Sequence, residues 1–291
     1  LGSLPFPERD LFGYADYVRQ TGEIEIATGR GCPQHCTYCV NDWLEEIYEE
    51  RGTWVRRRAP ENVLAEIRYL RDRYEGVQKV RFLDHAFALE PAWIEHFLRV
   101  YHERGELPFR CHLRLNSLSE ELVGQLAAAR CELADVEIIG GSHFIRDEVF
   151  EMDLGRAQIE DGFAWLRAAQ IRTRAIVYLG GPYESEMSLD ETRKLLRALR
   201  PDIVDVRPFY PFPGTRAREL ARDSGWLHVG GEELYHQDRP GIDMPACRPQ
   251  VVEAFIRRLR DDMEVERGAP WWRRWSHTSR AAMEQLFHKR R

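Results

Sequence analysis

Six short runs rich in β-branched and apolar residues recur along the chain, at 23–27 (EIEIA), 79–83 (KVRFL), 109–115 (FRCHLRL), 135–139 (DVEII), 172–179 (RTRAIVYL) and 202–209 (DIVDVRPF). Helical patterns fill the intervals. In PENVLAEIRYLRDRYEG, residues Val63, Leu64, Ile67, Leu70 and Tyr74 make one apolar stripe, Pro60 suits the first turn and Gly76 the stop. Ser117 with Glu120, and Ser188 with Glu191, read as S-x-x-E capping boxes and predict two further helix starts, the second helix ending before Pro201. Strand and helix in strict alternation bury their apolar faces as a parallel sheet with crossover helices. Six such units instead of eight predict an α/β fold that is a partial (β/α)6 TIM-like barrel, with its site at the C-terminal ends of the strands. The alternation stops after Pro208. The expected organisation is a linker-like segment over 1–22, the barrel over 23–215 and a helical C-terminal cap or extension over 216–291.

The composition excludes several classes. With 291 residues, 43% apolar and 31% charged, the chain is long enough for a substantial core, and no run of about 18 apolar residues predicts a membrane span. The opening LGSLPFPERD lacks the basic and apolar segments of a signal peptide, which points to the cytoplasm. A net charge of -6 disfavours a body that wraps nucleic acid. The tail residues Trp271, Trp272 and Trp275, set among arginines, suit either stacking on bases or an anionic substrate, or a helix packed on the barrel.

Six cysteines in a chain of this size do not make a disulfide scaffold. Cys111, Cys131 and Cys247 are widely spaced and read as packing residues. Cys32, Cys36 and Cys39 are different: they stand in C-x3-C-x2-C spacing within GRGCPQHCTYCV, shortly after the first strand and hence at the barrel mouth. Zinc in a structural site takes four ligands, usually from two separated pairs, and the sequence has no second C-x2-C and no H-x3-H. His35 adjoins Cys36 and reads as a loop residue with an exposed ring. Three thiolates on one short loop can bind three irons of a 4Fe–4S cluster and leave the fourth iron open to a small molecule. The competing reading is a non-catalytic zinc- or nucleic-acid-binding module.

CPQHCTYC resembles the signature of the radical S-adenosylmethionine superfamily, C-x3-C-x-aromatic-C, with Tyr38 as the aromatic. VYLGGPYE (177–184) resembles that superfamily's fifth-strand element G-x-I-x-G-x-x-E, with Leu179, Gly181 and Glu184 in place and Val177 departing. RPFYPFPGT (207–215) resembles the sixth-strand segment, and LPFPERDLFGYADY (4–17) the linker, of the subgroup that carries an N-terminal cobalamin domain. The resemblance implies a 4Fe–4S cluster on Cys32, Cys36 and Cys39, with S-adenosylmethionine at the open iron. It implies further that the sulfonium is cleaved reductively to a 5′-deoxyadenosyl radical that abstracts hydrogen from a small-molecule or natural-product substrate. The electron would come from a reductant such as flavodoxin or ferredoxin. An alternative within the resemblance is the barrel of a cobalamin-dependent methyltransferase.

Cofactor-binding candidates under the same resemblance are Tyr38, Asp84, Ser142, Gly181 and Glu184. Asp84, in FLDHAF, stands where the subgroup has the first of two acids, and His85 takes the second place. Ile139, in IGGS, replaces the glutamate of the expected E-S-G-S, while Gly141 and Ser142 remain. Three of these candidates have a purely structural counterpart: Asp84 capping a loop, Ser142 closing a turn, Gly181 permitting positive φ. His143, Tyr178, Tyr183 and Arg207 are expected near strand ends. Only 31 residues precede Cys32, against on the order of a hundred in a cobalamin domain, and no D-x-H-x2-G loop occurs. The chain itself is therefore expected to bind no cobalamin: either it is a fragment, or a separate domain supplies the cobalamin, or the enzyme has dispensed with it.

Overall fold

A computed structural model describes residues 1–263, apart from 50, 86, 106 and 229–232. The tryptophan- and arginine-rich tail lies outside the described residues. Six parallel strands, Glu23–Ile26, Lys79–Phe82, Phe109–Leu113, Cys131–Ile139, Arg172–Leu179 and Ile203–Pro208, lie side by side in chain order, a partial TIM-like barrel. Helices Pro60–Arg73, Pro91–Arg104, Glu120–Ala128, Arg156–Ala168 and Glu186–Leu199 make the crossovers. Helices Arg216–Asp223, Glu233–His236 and Pro249–Asp262 follow the sixth strand. Among the described residues, no helix is long and apolar enough to cross a membrane.

The stripe of the first crossover helix is buried at all five expected positions, Val63, Leu64, Ile67, Leu70 and Tyr74. Both serine-based helix starts need correction. The third crossover helix is capped by Ser119, whose hydroxyl accepts from the Leu122 amide, and Ser117 sits in a preceding 3-10 turn. The fifth begins three residues early, capped by Ser185, with Ser188 as the reciprocal partner in its first turn. In both places a second serine upstream or downstream offers the better extended backbone, which is what a cap requires.

Period-two alternation splits each strand between helix side and lumen. Ile24, Ile26, Val80, Phe82, Val136, Val177 and Val206 are buried beneath the helices, and Cys111 and Cys131 pack with them as free thiols. The opposite face is charged, where a TIM barrel is ordinarily filled by branched aliphatic side chains. Ion pairs run along it: Arg81 to Glu25 at 3.1 Å, Arg110 to Glu23 at 3.6 Å, Arg174 to Asp135 at 3.5 Å, Arg114 to Glu137 at 3.3 Å and Arg207 to Asp205 at 2.9 Å.

The sheet is open between its first and sixth strands, and side chains occupy both edges. The Glu25 amide donates to the Tyr14 hydroxyl at 2.7 Å, and the Glu25 carbonyl accepts from Arg9 at 2.8 Å. On the far edge Arg260 donates to the Val206 carbonyl at 2.9 Å. The segment expected as a linker is thus packed structure. It contains a helix, Tyr14–Thr21, with Tyr14 and Val18 buried, and Arg9 pairs with the buried Glu66 at 2.7 Å.

After the fourth strand the backbone passes directly against the fifth crossover helix. A Cβ on Gly141 would stand 2.3 Å from the Thr192 backbone nitrogen, whereas one on Gly124, inside a helix, would meet open space. Gly141→Ala is expected to lower stability by about 1–3 kcal/mol through overpacking, and Gly124→Ala to raise it by roughly 0.5–1 kcal/mol. Urea denaturation of the two variants beside the parent checks both signs.

Candidate active site

The cysteine loop leaves the first strand at Thr28, and a buried carboxylate from the end of the second strand holds it there. Asp84, with its side chain 4% exposed, accepts from the Thr28 amide at 2.8 Å and its hydroxyl at 2.9 Å, and pairs with Arg57 at 3.2 Å. Gly31 follows at φ 81, where a Cβ would stand 2.4 Å from the Trp54 carbonyl, so only glycine passes beneath the returning chain. The Trp54 indole donates to the Cys32 carbonyl at 2.9 Å.

Thr37 fixes the middle of the loop. Its amide donates to the Phe150 carbonyl at 3.2 Å, its hydroxyl donates to the Val149 carbonyl at 2.7 Å, and its carbonyl accepts from the Ala217 amide at 2.9 Å. On either side, Cys36 and Tyr38 meet one buried group. Arg114, 8% exposed just past the end of the third strand, donates to Cys36 Sγ at 3.2 Å and pairs with Glu137 of the fourth. The Tyr38 hydroxyl donates to the same Glu137 carboxylate at 2.9 Å, and its ring packs edge-on against Phe150.

The three loop thiols lie within each other's electrostatic reach. Burial raises the Cys32 thiol and pushes Cys39 up to about 11, and the neighbouring cysteines add to both. Among the described residues, no three His, Cys, Asp or Glu side chains converge on one point as ligands of a single ion do. Three thiolates that each hold a different iron of a cube stand apart, so the donor set suits a 4Fe–4S cluster and departs from a four-ligand zinc site. His35 is turned out, its ring 62% exposed and bonded to Asp42 at 2.8 Å.

The remaining candidates lie at strand ends, with their polar groups largely engaged. Glu184 is buried; it accepts from the Gly180 amide at 2.8 Å and from the Ser188 hydroxyl at 3.0 Å, closing the turn after the fifth strand. The positive φ belongs to Gly180, at 88°, while Gly181 is needed for space, since a Cβ there would stand 2.6 Å from the Phe150 ring. Ser142 is half-buried at the loop after the fourth strand, and its carbonyl accepts from the Arg146 amide. Ile139, which takes the place of a glutamate, is buried at φ 56, an unusual conformation for a β-branched residue, beside a shift of strand register. The carboxylate facing the cysteine loop from this strand is Glu137, two residues earlier. Of the other strand-end residues, Tyr178 and Arg207 are register partners, His143 is exposed and pairs with Asp147, and Tyr183 is half exposed at φ 62.

Four residues at or near the site carry no motif that marks them in the sequence. Arg146, fully buried, donates to the carbonyls of Gly140, Gly141 and Leu154 and so braces the loop that carries Ser142. Glu137 occupies a lumen position in the fourth strand and Arg114 follows directly on the third, and their only sequence signal was a charge at alternate places in FRCHLRL and DVEII. His112 shares that lumen. Burial pushes its imidazole down to about 4, and its Nε2 is buried without a hydrogen-bond partner.

Residues 26–196, more than half of the chain, match the Radical SAM superfamily, and the chain belongs to that superfamily. That superfamily is a class of enzymes that use a 4Fe–4S cluster and S-adenosylmethionine. The chain is 24% identical over 88% of its length to an uncharacterized methyltransferase of Pyrococcus horikoshii, covering 54% of that protein. It is 30% identical over 71% of its length to the tRNA-2-methylthio-N(6)-dimethylallyladenosine synthase of Pelobacter propionicus, covering 48% of it. The chain therefore spans about half the length of the curated relatives it matches. Its fold resembles that of the radical S-adenosylmethionine methyltransferase TsrM from Kitasatospora setae, solved with cobalamin and a 4Fe–4S cluster bound. The TM-score is 0.63 at 20% identity, over 75% of this chain and 43% of that one.

Burial pushes the Glu184 carboxyl up to about 7, above the ordinary carboxylate range. The folded state therefore prefers the neutral acid. This preference is without cost below the unfolded pKa and becomes destabilising as pH rises from about 4.5 to 7. At about 1.4 kcal/mol per unit the full effect is about 3 kcal/mol. Glu184→Gln is expected to gain stability relative to the parent between pH 5 and about pH 8, read as a growing difference in melting temperature. A pH-independent difference would contradict the assignment.

Proposed function

We propose that Cys32, Cys36 and Cys39 jointly hold one 4Fe–4S cluster with an open iron, and that the barrel reductively cleaves S-adenosylmethionine to abstract hydrogen from a small-molecule substrate. The observation that carries this is the arrangement of three free thiols on one braced loop at the barrel mouth, in a chain matched to the Radical SAM superfamily over 26–196. When bound, the cluster supplies the electron that breaks the carbon–sulfur bond of the sulfonium.

What this chain's residues contribute is position, dryness and charge. Asp84 clamps Thr28 and so sets the start of the loop. Thr37 and Arg216 tie its far side to the segments after the fourth and sixth strands, Arg216 bonding the His35 carbonyl, Asp42 and Glu151. Glu184 and Arg146 hold the two glycine turns that carry Gly181 and Ser142, and in this reading those turns form part of the cofactor's seat. In this reading Tyr38, Asp84 and Glu184 serve S-adenosylmethionine by shaping its seat, since their polar atoms are bonded within the protein. Substrate would enter the charged lumen below, toward His112 and Tyr178.

A second reading is methyl transfer with cobalamin held outside this chain. It is supported by the names of the methyltransferase relatives and by the fact that each is about twice as long as the matched part. The electron donor in either case would be a low-potential protein such as flavodoxin or ferredoxin, and the compartment the cytoplasm.

The expected outcome of anaerobic reconstitution is about four irons per chain, with 5′-deoxyadenosine and methionine released from S-adenosylmethionine on reduction. Cys36→Ala should lose the cluster and both products. Full iron occupancy in that variant would overturn the ligand set. A loaded, reducible parent that releases neither product would overturn the cleavage. Added hydroxocobalamin should elute apart from this chain in gel filtration.

A further inference from the structure

Asp84, Trp54, Thr37 and Arg216 hold the cysteine loop through its carbonyls and amides and the Thr28 hydroxyl, whereas the Arg114–Glu137 pair meets it differently. Its contacts are with side chains. Arg114 reaches the sulfur of Cys36 with one nitrogen and the carboxylate of Glu137 with the other, and the Tyr38 hydroxyl locks the same carboxylate. The guanidinium also acts electrostatically on Cys32. A full positive charge thus sits at hydrogen-bond distance from one thiol and within reach of a second, in a site where charges are weakly screened. One negative charge is set behind it.

From this geometry we infer that Arg114 and Glu137 set the reduction potential of the cluster, acting through Cys36 and not on substrate. The inference rests on the reading of the three cysteines as cluster ligands. Reduction adds one electron to the cluster and neither forms nor breaks a bond; the donor in the test is dithionite, which is oxidised as the cluster gains the electron. The added negative charge is stabilised by a nearby cation and by hydrogen bonds to ligand sulfur, both recognised controls of iron–sulfur potentials. Arg114 therefore makes the cluster easier to reduce, and Glu137 limits the effect by partly neutralising Arg114. The two residues oppose each other across a single carboxylate–guanidinium contact, and Tyr38, the aromatic residue of the cysteine signature, fixes the carboxylate in place.

The test is an EPR-monitored redox titration of the reconstituted full chain, without S-adenosylmethionine, for the parent, Arg114→Gln and Glu137→Gln. Arg114→Gln is expected to lower the midpoint by a tenfold change in the reduction equilibrium, about 59 mV for a one-electron couple. Glu137→Gln is expected to raise it by about threefold or more. A purely structural role would not move the two in opposite directions. A fall in Arg114→Gln together with a rise in Glu137→Gln carries the inference, and any other pattern overturns it. If Arg114→Gln takes up no iron, Glu137→Gln decides alone: an upward shift carries the inference and an unmoved or lowered midpoint overturns it. A parent that assembles no four-iron cluster defeats the ligand assignment and this inference with it, whereas a loaded parent with unmoved variants defeats this inference only.

Discussion

Three hydrogen bonds at Thr37, two donated and one accepted, fix the middle of the cysteine loop, and the directions of its neighbours follow from them. They bind one residue to the turn after the fourth strand and to the start of the helix that follows the sixth. Irregular backbone at a barrel mouth has few partners of its own, and a loop fixed only at its two ends could slide. With Thr37 fixed, its neighbours have no choice of direction: Cys36 meets Arg114 and Tyr38 meets Glu137. Together with Asp84, Trp54 and Arg216, Thr37 registers the cysteine loop against the strands that carry the lumen charges.

The strands could be read to within a residue or two at most ends, the fourth starting earlier than expected at Cys131, because β-branched runs bounded by turn residues have few other uses. Helix starts were read less well. S-x-x-E occurs at Ser117 and at Ser188, but capping depends on which serine has extended backbone, and in SLSEEL and ESEMSLDE another serine competes within three residues. The cysteine loop was legible because its spacing is local. Arg114, Glu137 and Arg146 were not, since their partners are distant in sequence or are backbone carbonyls, to which no residue type corresponds. The missing glutamate at Ile139 is a related case: the sequence shows an acid lost from one position, and only the fold shows another, Glu137, turned toward the same loop.

The lumen explains why acids predicted to touch a cofactor are engaged elsewhere. Where each arginine is matched by a carboxylate on its own or a neighbouring strand, the interior is charged but close to neutral. Asp84 and Glu184 extend that logic to the rim, where a buried carboxylate is tolerated only with donors around it. Such a barrel is held by directional contacts, and its chemistry is positioned by the same groups that satisfy each other.

An incomplete barrel has two raw borders, and a border strand with free amides and carbonyls is a template on which another chain can build. Arg9 and Tyr14 cover the first strand and Arg260 the sixth, so segments on both sides of the barrel in sequence act as selvedges to an unfinished cloth. The short N-terminal segment thereby gains a purpose that its proline-rich composition does not suggest. At Glu25 the amide and carbonyl, and at Val206 the carbonyl, that a further strand would pair with are already engaged by side chains from outside the sheet.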